Sequence, residues 1–146
     1  MPVQTHLTRS EEETIALGES LARELPSRGV ALLIGDLGAG KTTLVKGIAS
    51  GLGAATPEQV SSPTFTLIHE YSPRLYHVDL YRLDQEREVE TLGLDDIFDK
   101  DALVLIEWGD KFPRLMPARR IEIRLEQTSD DSRRITCSFP PVDPYN

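Results

Sequence analysis

The residues of this 146-residue chain best suited to chemistry stand together in Gly35-Asp36-Leu37-Gly38-Ala39-Gly40-Lys41-Thr42. The stretch satisfies G-x-x-x-x-G-K-[ST] at every specified position. Each position has a task if the ligand is a nucleoside triphosphate. The glycines accept positive φ and let backbone N–H groups come close to phosphate oxygens. A helix starting at Lys41 aims the positive end of its dipole at the same anion. The Lys41 ammonium reaches the β- and γ-phosphates, and the Thr42 hydroxyl is a Mg²⁺ ligand. Asp36, Leu37, Ala39 and Thr43 complete the phosphate cradle. Chance does not explain the match. With 10 Gly, 4 Lys and 21 Ser plus Thr, composition alone gives about 0.003 such matches. The expected ligands are therefore ATP and Mg²⁺.

A phosphate loop needs a carboxylate for the Mg²⁺ shell at the end of a neighbouring buried strand. Leu103-Val104-Leu105-Ile106-Glu107 has that form, with Glu in place of the commoner Asp. Glu107 could touch the metal directly, act through water, or polarise the attacking water. Asp79, in Tyr76-His77-Val78-Asp79-Leu80-Tyr81-Arg82, is the competing carboxylate. Its segment alternates, so an exposed strand residue is the other reading. His77 reads as structural. Trp108 reads either as a half-buried aromatic or as a nucleotide contact. Ser61-Ser62-Pro63-Thr64-Phe65-Thr66 is rich in hydroxyls. It lies where switch loops of nucleotide hydrolases sense the γ-phosphate, though a plain Ser/Pro turn has the same composition.

Three functional classes fit a phosphate loop. Guanine readers generally use Asn-Lys-x-Asp, and the only Asn here is the last residue, Asn146. Adenine is preferred on that ground. A small-molecule kinase would need an arginine-bearing lid, and Arg114, Arg119, Arg120 and Arg124 could supply one. Pro113 and Pro117 interrupt that segment before it becomes a strand. The third class is a nucleotide-gated binding protein with negligible turnover. No arginine finger is evident, and phosphate-loop proteins lacking one are slow alone.

The elements that must hold these residues follow from periodicity. Ser10 before Glu11, Glu12 and Glu13 predicts a helix start, and apolar spacing carries that helix over residues 9–25. Val30–Ile34 predicts a strand buried on both faces. Lys41–Leu52 predicts a helix that Gly53 closes. Phe65–Tyr71 and Leu75–Leu80 predict a hairpin. Residues 84–101 hold eight acids and two basic residues and predict one or two short helices. Leu103–Ile106 predicts the second buried strand. Ile121–Leu125 and Arg134–Phe139 predict closing edge strands. The sum is α/β: a P-loop, three-layer α/β/α arrangement with two central parallel strands, a β-rich insertion and a mixed sheet including antiparallel strands. Residues 1–139 read as a single domain. Residues 140–146, with three prolines, read as a loosely ordered tail. Net charge −8 disfavours a dedicated nucleic-acid reader, because long-range repulsion opposes phosphate backbones. The one cysteine, Cys137, cannot form an internal disulfide. Met1–His6 has no apolar leader core, and no apolar run can span a bilayer. The cytoplasm is the expected location.

Several segments together resemble one family. They are Gly35–Thr43, then Ser62-Pro63-Thr64-Phe65-Thr66-Leu67, His77-Val78-Asp79-Leu80-Tyr81-Arg82-Leu83 and Leu105-Ile106-Glu107-Trp108. In order and spacing they look like the TsaE (YjeE) ATPases, over about Ser10 to Cys137. The resemblance implies a P-loop ATPase needed for threonylcarbamoyl modification of adenosine 37 in tRNAs that read codons starting with A. It implies partnership with the TsaB–TsaD heterodimer, in which TsaD does the transfer, and ATP hydrolysis that resets the cycle. Contact with tRNA would be indirect, through that complex, and the free chain could be monomeric. By position it gives Lys41 and Thr42 the phosphate and magnesium roles. Asp79 and Glu107 match the two acidic positions, Thr64 the switch-like loop, and Arg133 a C-terminal arginine near the nucleotide. Phe65 stands where Tyr is common.

Overall fold

The computed structural model describes residues 3–141. Seven strands form one mixed sheet: β1 (Val3–Thr8), β2 (Gly29–Ile34), β3 (Ile68–Ser72), β4 (Leu75–Asp79), β5 (Leu103–Glu107), β6 (Ile121–Gln127) and β7 (Arg133–Ser138). Their order is β1-β7-β6-β2-β5-β4-β3. β6, β2, β5 and β4 run parallel, while β1, β7 and β3 pair antiparallel to their neighbours. Helices cover both faces of the centre, as long parallel apolar runs require.

Alternation along each strand sorts the core into two layers. Ala31, Leu33, Leu103, Leu105 and Ile123 pack on α1 (Glu11–Leu21) and α2 (Lys41–Gly51). Val30, Leu32, Val78, Val104 and Ile106 pack on the other side, with Leu83, Val89, Leu94, Phe112 and Met116. Val89 belongs to α3 (Glu86–Glu90) and Leu94 to α4 (Leu94–Phe98), the two short acidic helices. Cys137 is buried on β7 in the first layer, and burial pushes its thiol up to about 11.

Four expectations need correction. The first helix ends at Leu21, where bonds of the i→i−3 type, Arg23 N to Ser20 O and Glu24 N to Leu21 O, replace the helical ladder ahead of Pro26. The first hairpin strand starts at Ile68, not Phe65. Leu67 N donates to Pro63 O at 2.6 Å and Leu67 has φ 70°, so the chain turns there. β6 and β7 are interior strands, and the edges are β1 and β3. β1 was not among the expected strands: Val3 and Leu7 are exposed, so it buries no apolar face and is held mainly by its ladder to β7. Finally, β4 is no insertion: all five of its residues are buried, and it is a central parallel strand. Residues 142–146 of the expected tail lie outside the described residues. No helix among the described residues is long and apolar enough to cross a membrane.

α2 carries the first residues after the glycine loop, so its seat matters. Glycines let it approach α1 without intervening side chains. A Cβ on Gly18 would lie 2.6 Å from Leu44 O, and one on Gly51 would lie 2.8 Å from the Ala22 Cβ. A Cβ on Gly47 would collide with Ile15 O. Ser10 caps α1, its hydroxyl accepting from Glu13 N at 3.1 Å, while the Glu13 carboxylate accepts from Arg9 N at 2.9 Å. We predict that Gly47→Ala costs about 1–3 kcal/mol of folding stability through overpacking. Urea unfolding reads this as a lower midpoint at unchanged slope; an unmoved midpoint would contradict the close approach of the two helices.

Candidate functional site

The loop leaves β2 at Gly35 and enters α2 at Lys41. A side chain at Gly35 is impossible without movement, since its Cβ would lie 2.6 Å from Leu125 O of β6. Gly38 and Gly40 have φ 80° and 99°, which place their N–H groups as only glycine does cheaply. Gly40 is the N-cap of α2 and has no capping side chain, so the first amides of that helix stay directed at the loop's concavity. The Lys41 ammonium donates to Gly35 O, and to Asp36 O at 3.2 Å, and stands 3.8 Å from the centre of the Trp108 ring. Burial lowers the Lys41 pKa, and the charges of Glu107, Asp110, Asp79 and Asp36 oppose that shift. Arg133, the first residue of β7, donates to Gly38 O at 3.1 Å.

Parallel pairing of β4 with β5 sets the carboxylates side by side: Asp79 and Glu107 are register partners. Both are almost wholly buried, at 2% and 3% exposure. Glu107 Oε2 accepts from the Thr42 hydroxyl at 2.9 Å and lies 2.6 Å from His77 Nε2. Trp108 follows with φ 65°, which bends the chain so that its ring covers Lys41 and packs on Tyr81 at 5.1 Å between centroids.

Asp79 faces the hydroxyl-rich loop. Its Oδ2 accepts from Ser62 Oγ at 2.5 Å and lies 3.4 Å from Thr64 Oγ1, while Oδ1 accepts from Tyr81 N at 2.8 Å. Arg82 closes the loop from outside, donating to Thr64 O at 2.9 Å and Phe65 O at 3.1 Å. Phe65 is left 83% exposed at the tip. A cleft of about 590 Å³ runs between these groups, lined by residues 37–43, Ser62, Thr64, the two carboxylates, Trp108 and Arg133 among others. The donors are hard oxygens: a hydroxyl and two carboxylates. No group of three His, Cys, Asp or Glu among the described residues could hold a metal alone. That donor set fits magnesium, which takes one or two carboxylates and leaves the remaining positions to phosphates and water.

Comparison with known proteins gives the family and the fold. The family model for threonylcarbamoyl adenosine biosynthesis protein TsaE matches residues 8–135. The chain belongs to the TsaE family. It is 42% identical over 132 residues to the tRNA threonylcarbamoyladenosine biosynthesis protein TsaE of Bacillus subtilis, covering 88% of this chain and 81% of that one. It is 37% identical over 134 residues to the TsaE of Treponema pallidum, covering 90% and 98%. The fold is similar to the crystal structure of Bacillus subtilis YdiB, with TM-score 0.77 and 35% identity over 96% of this chain and 87% of that one.

This TsaE chain brings nearly all of its sequence-predicted site residues to one place. Leu37 to Thr43, Thr64, Asp79, Glu107 and Arg133 line the cleft. Gly35 and Asp36 lie beneath the Lys41 ammonium and face a neighbouring groove instead. Asp79 is buried, not exposed on an alternating strand. None of the arginines considered for a kinase lid lines this cleft, although Arg124 lines the groove that Gly35 and Asp36 face. Arg119 and Arg120 line a larger cavity, about 710 Å³, beside Gly29 at the opposite end of β2. Arg114 and Arg124 pair with Glu86 and Glu122. Sequence reasoning missed Arg82 and Tyr81. The signal was their place just after Asp79, in the segment that carries the family resemblance, and nothing in a lone arginine shows that it binds loop carbonyls. We predict that Asp79→Ala frees the loop, raising amide hydrogen exchange at Thr64–Leu67 about tenfold or more. Leu37→Ala, elsewhere in the cleft, should leave that exchange unchanged; equal exchange in the Asp79 variant would deny Asp79 this hold.

Proposed function

We propose that this chain is a magnesium-dependent ATPase of tRNA N6-threonylcarbamoyladenosine biosynthesis that acts with a TsaB–TsaD heterodimer and reaches tRNA through that complex. The observation that carries the reading is the 2.9 Å hydrogen bond from Thr42 to Glu107. It joins the end of the glycine loop to the carboxylate of the neighbouring parallel strand, as the loop's chemistry requires. TsaE membership supports the role in tRNA modification. The acidic net charge of −8 suits a protein that meets RNA through partners.

Each residue then has a role. The amides of residues 38–42 and the α2 dipole hold the β- and γ-phosphates. Lys41 turns from the Gly35 and Asp36 carbonyls to a phosphate oxygen, gaining a charged partner for a buried ammonium. Thr42 and Glu107, with Asp79 beside them, would hold a magnesium ion. Magnesium, when bound with the triphosphate, neutralises charge that develops on the transferred group. Thr64 and its neighbours, tied to Asp79, close over the γ-phosphate. Arg133 lies against Gly38 and adds positive charge at the cleft wall. Water takes the γ-phosphoryl group, and ADP and phosphate leave.

The test is hydrolysis of ATP with and without TsaB–TsaD, alongside calorimetric titration with Mg-ATP. Wild type should bind nucleotide alone and turn over faster with the partners. Lys41→Ala should lose detectable binding. Glu107→Gln should keep binding and lose about a hundredfold in turnover. Wild-type rates in both variants would overturn the proposal.

A further inference from the structure

The two edges of the sheet are finished differently. β3 is protected: its register shifts between Glu70 and Ser72, and Glu70 puts a charge on it. Bulges and charges of this kind keep a free edge from pairing with another chain. β1 has neither. Val3-Gln4-Thr5-His6-Leu7-Thr8 contains no Lys, Arg, Asp, Glu or Pro, and its ladder to β7 runs from end to end without a shift. Among the described residues nothing pairs with its outer edge. The backbone N–H and C=O groups of that edge form a regular template for another strand.

Side chains on β1 alternate between two sides. Gln4 and His6 lie toward α1: Gln4 Nε2 donates to Glu24 Oε1 at 3.0 Å, and His6 Nε2 is 3.2 Å from Gln4 Oε1. Val3, Thr5 and Leu7 stand on the open side, with Val3 58% and Leu7 67% exposed. The order over Val3–Leu7 is apolar, polar, Thr, polar, apolar, which reads the same from either end. A two-fold axis through Thr5, perpendicular to the sheet, sets Val3 opposite Leu7 of a second copy, Gln4 opposite His6, and Thr5 opposite itself. Apolar and Thr–Thr pairs of this kind are favourable across antiparallel strands. A two-fold dimer requires a surface that complements itself; a strand from a different protein would need no such symmetry.

We propose that the outer edge of β1 is the seam of a homodimer, in which two β1 strands pair antiparallel about Thr5 and join the two sheets into one. Backbone hydrogen bonds run along the seam, and Val3 and Leu7 lose exposed apolar surface at each end of it. An overlap of Val3–Leu7 is about 17 Å long, well short of a standard interface. The dimer is therefore weak, with a dissociation constant between about 10 µM and 1 mM. α1 is tied to β1 through Gln4–Glu24 and Thr8–Thr14 and so lies beside the seam in each copy. It carries Glu11, Glu12, Glu13 and Glu19, and salt strengthens the dimer by screening their repulsion. No residue of Val3–Leu7 lines the phosphate cleft, and the dimer does not rest on the ATPase reading.

Analytical ultracentrifugation of the full chain without nucleotide, from about 1 µM to about 1 mM, tests the seam. Wild type should pass from monomer to dimer across that range, and the outward-facing amides of Val3–Leu7 should exchange more slowly as it does. The dissociation constant should fall about twofold or more between about 50 and about 500 mM NaCl. Thr5→Lys sets like charges directly opposite each other. It should weaken the dimer about tenfold or more while leaving the urea midpoint of the dilute chain in place, since Thr5 is exposed. Leu7→Lys should weaken the dimer as well, and adding Val3→Glu to it should restore pairing by setting opposite charges across the seam. A chain that stays monomeric throughout, or a dimer that Thr5→Lys leaves intact, overturns the proposal. So does a double variant no tighter than Leu7→Lys alone. A dimer that weakens with salt is held by ion pairs that β1 does not contain, and it too overturns the proposal.

Discussion

A carboxylate withdrawn from water needs hydrogen-bond partners inside the fold. Glu107 meets that requirement in the middle of a parallel sheet, and much of the structure serves to satisfy it. Thr42 comes to it from the first turn of α2, and His77 from the adjacent strand. Those partners belong to segments 30 and 65 residues away in sequence. Only the order β2-β5-β4, with its parallel registers, brings them to one oxygen. The fold is therefore tuned less to the glycine loop alone than to the strand ends that surround it.

Close contact between helices fixes the other half of the geometry. Gly18, Gly47 and Gly51 let α1 and α2 touch backbone to backbone, so α2 has little freedom to tilt. Behind it, Gly35 lies against Leu125 O, which fixes the start of the loop to β6. The loop is held at both ends by packing that tolerates no added methyl. A site built from backbone amides needs such a frame, because amides cannot adjust by changing rotamer.

The centre of this arrangement was legible in the sequence, and its periphery was not. Gly35–Thr42 declares itself because each residue type is demanded by one local task. Val30–Ile34 and Leu103–Ile106 declare themselves because strands buried on both faces are continuously apolar. β4 misled because its polar members, His77 and Asp79, mimic a solvated face; their burial depends on partners distant in sequence. β1 was hidden because an edge strand held by backbone pairing needs no apolar pattern. Phe65 looked like strand because its residue type favours strands, while the turn closed by Pro63 O and Leu67 N is set by backbone bonds. Arg82 and Tyr71 act through contacts with residues several positions away in sequence, which no local pattern records.

The pairing of β1 with β7 has a consequence for how the chain is made. Thr8 is the register partner of Arg133, and Val3 that of Ser138. β1 must therefore wait for β7, which is made well over a hundred residues later. Arg133, which reaches Gly38 O, is synthesised 95 residues after the loop it touches. Until then β6 is an open edge and β1 has no neighbour, a topology rich in distant pairings that slows folding. The cleft is thus completed only after β7 has been made, and a chain released before that point would carry a phosphate loop without its closing strand.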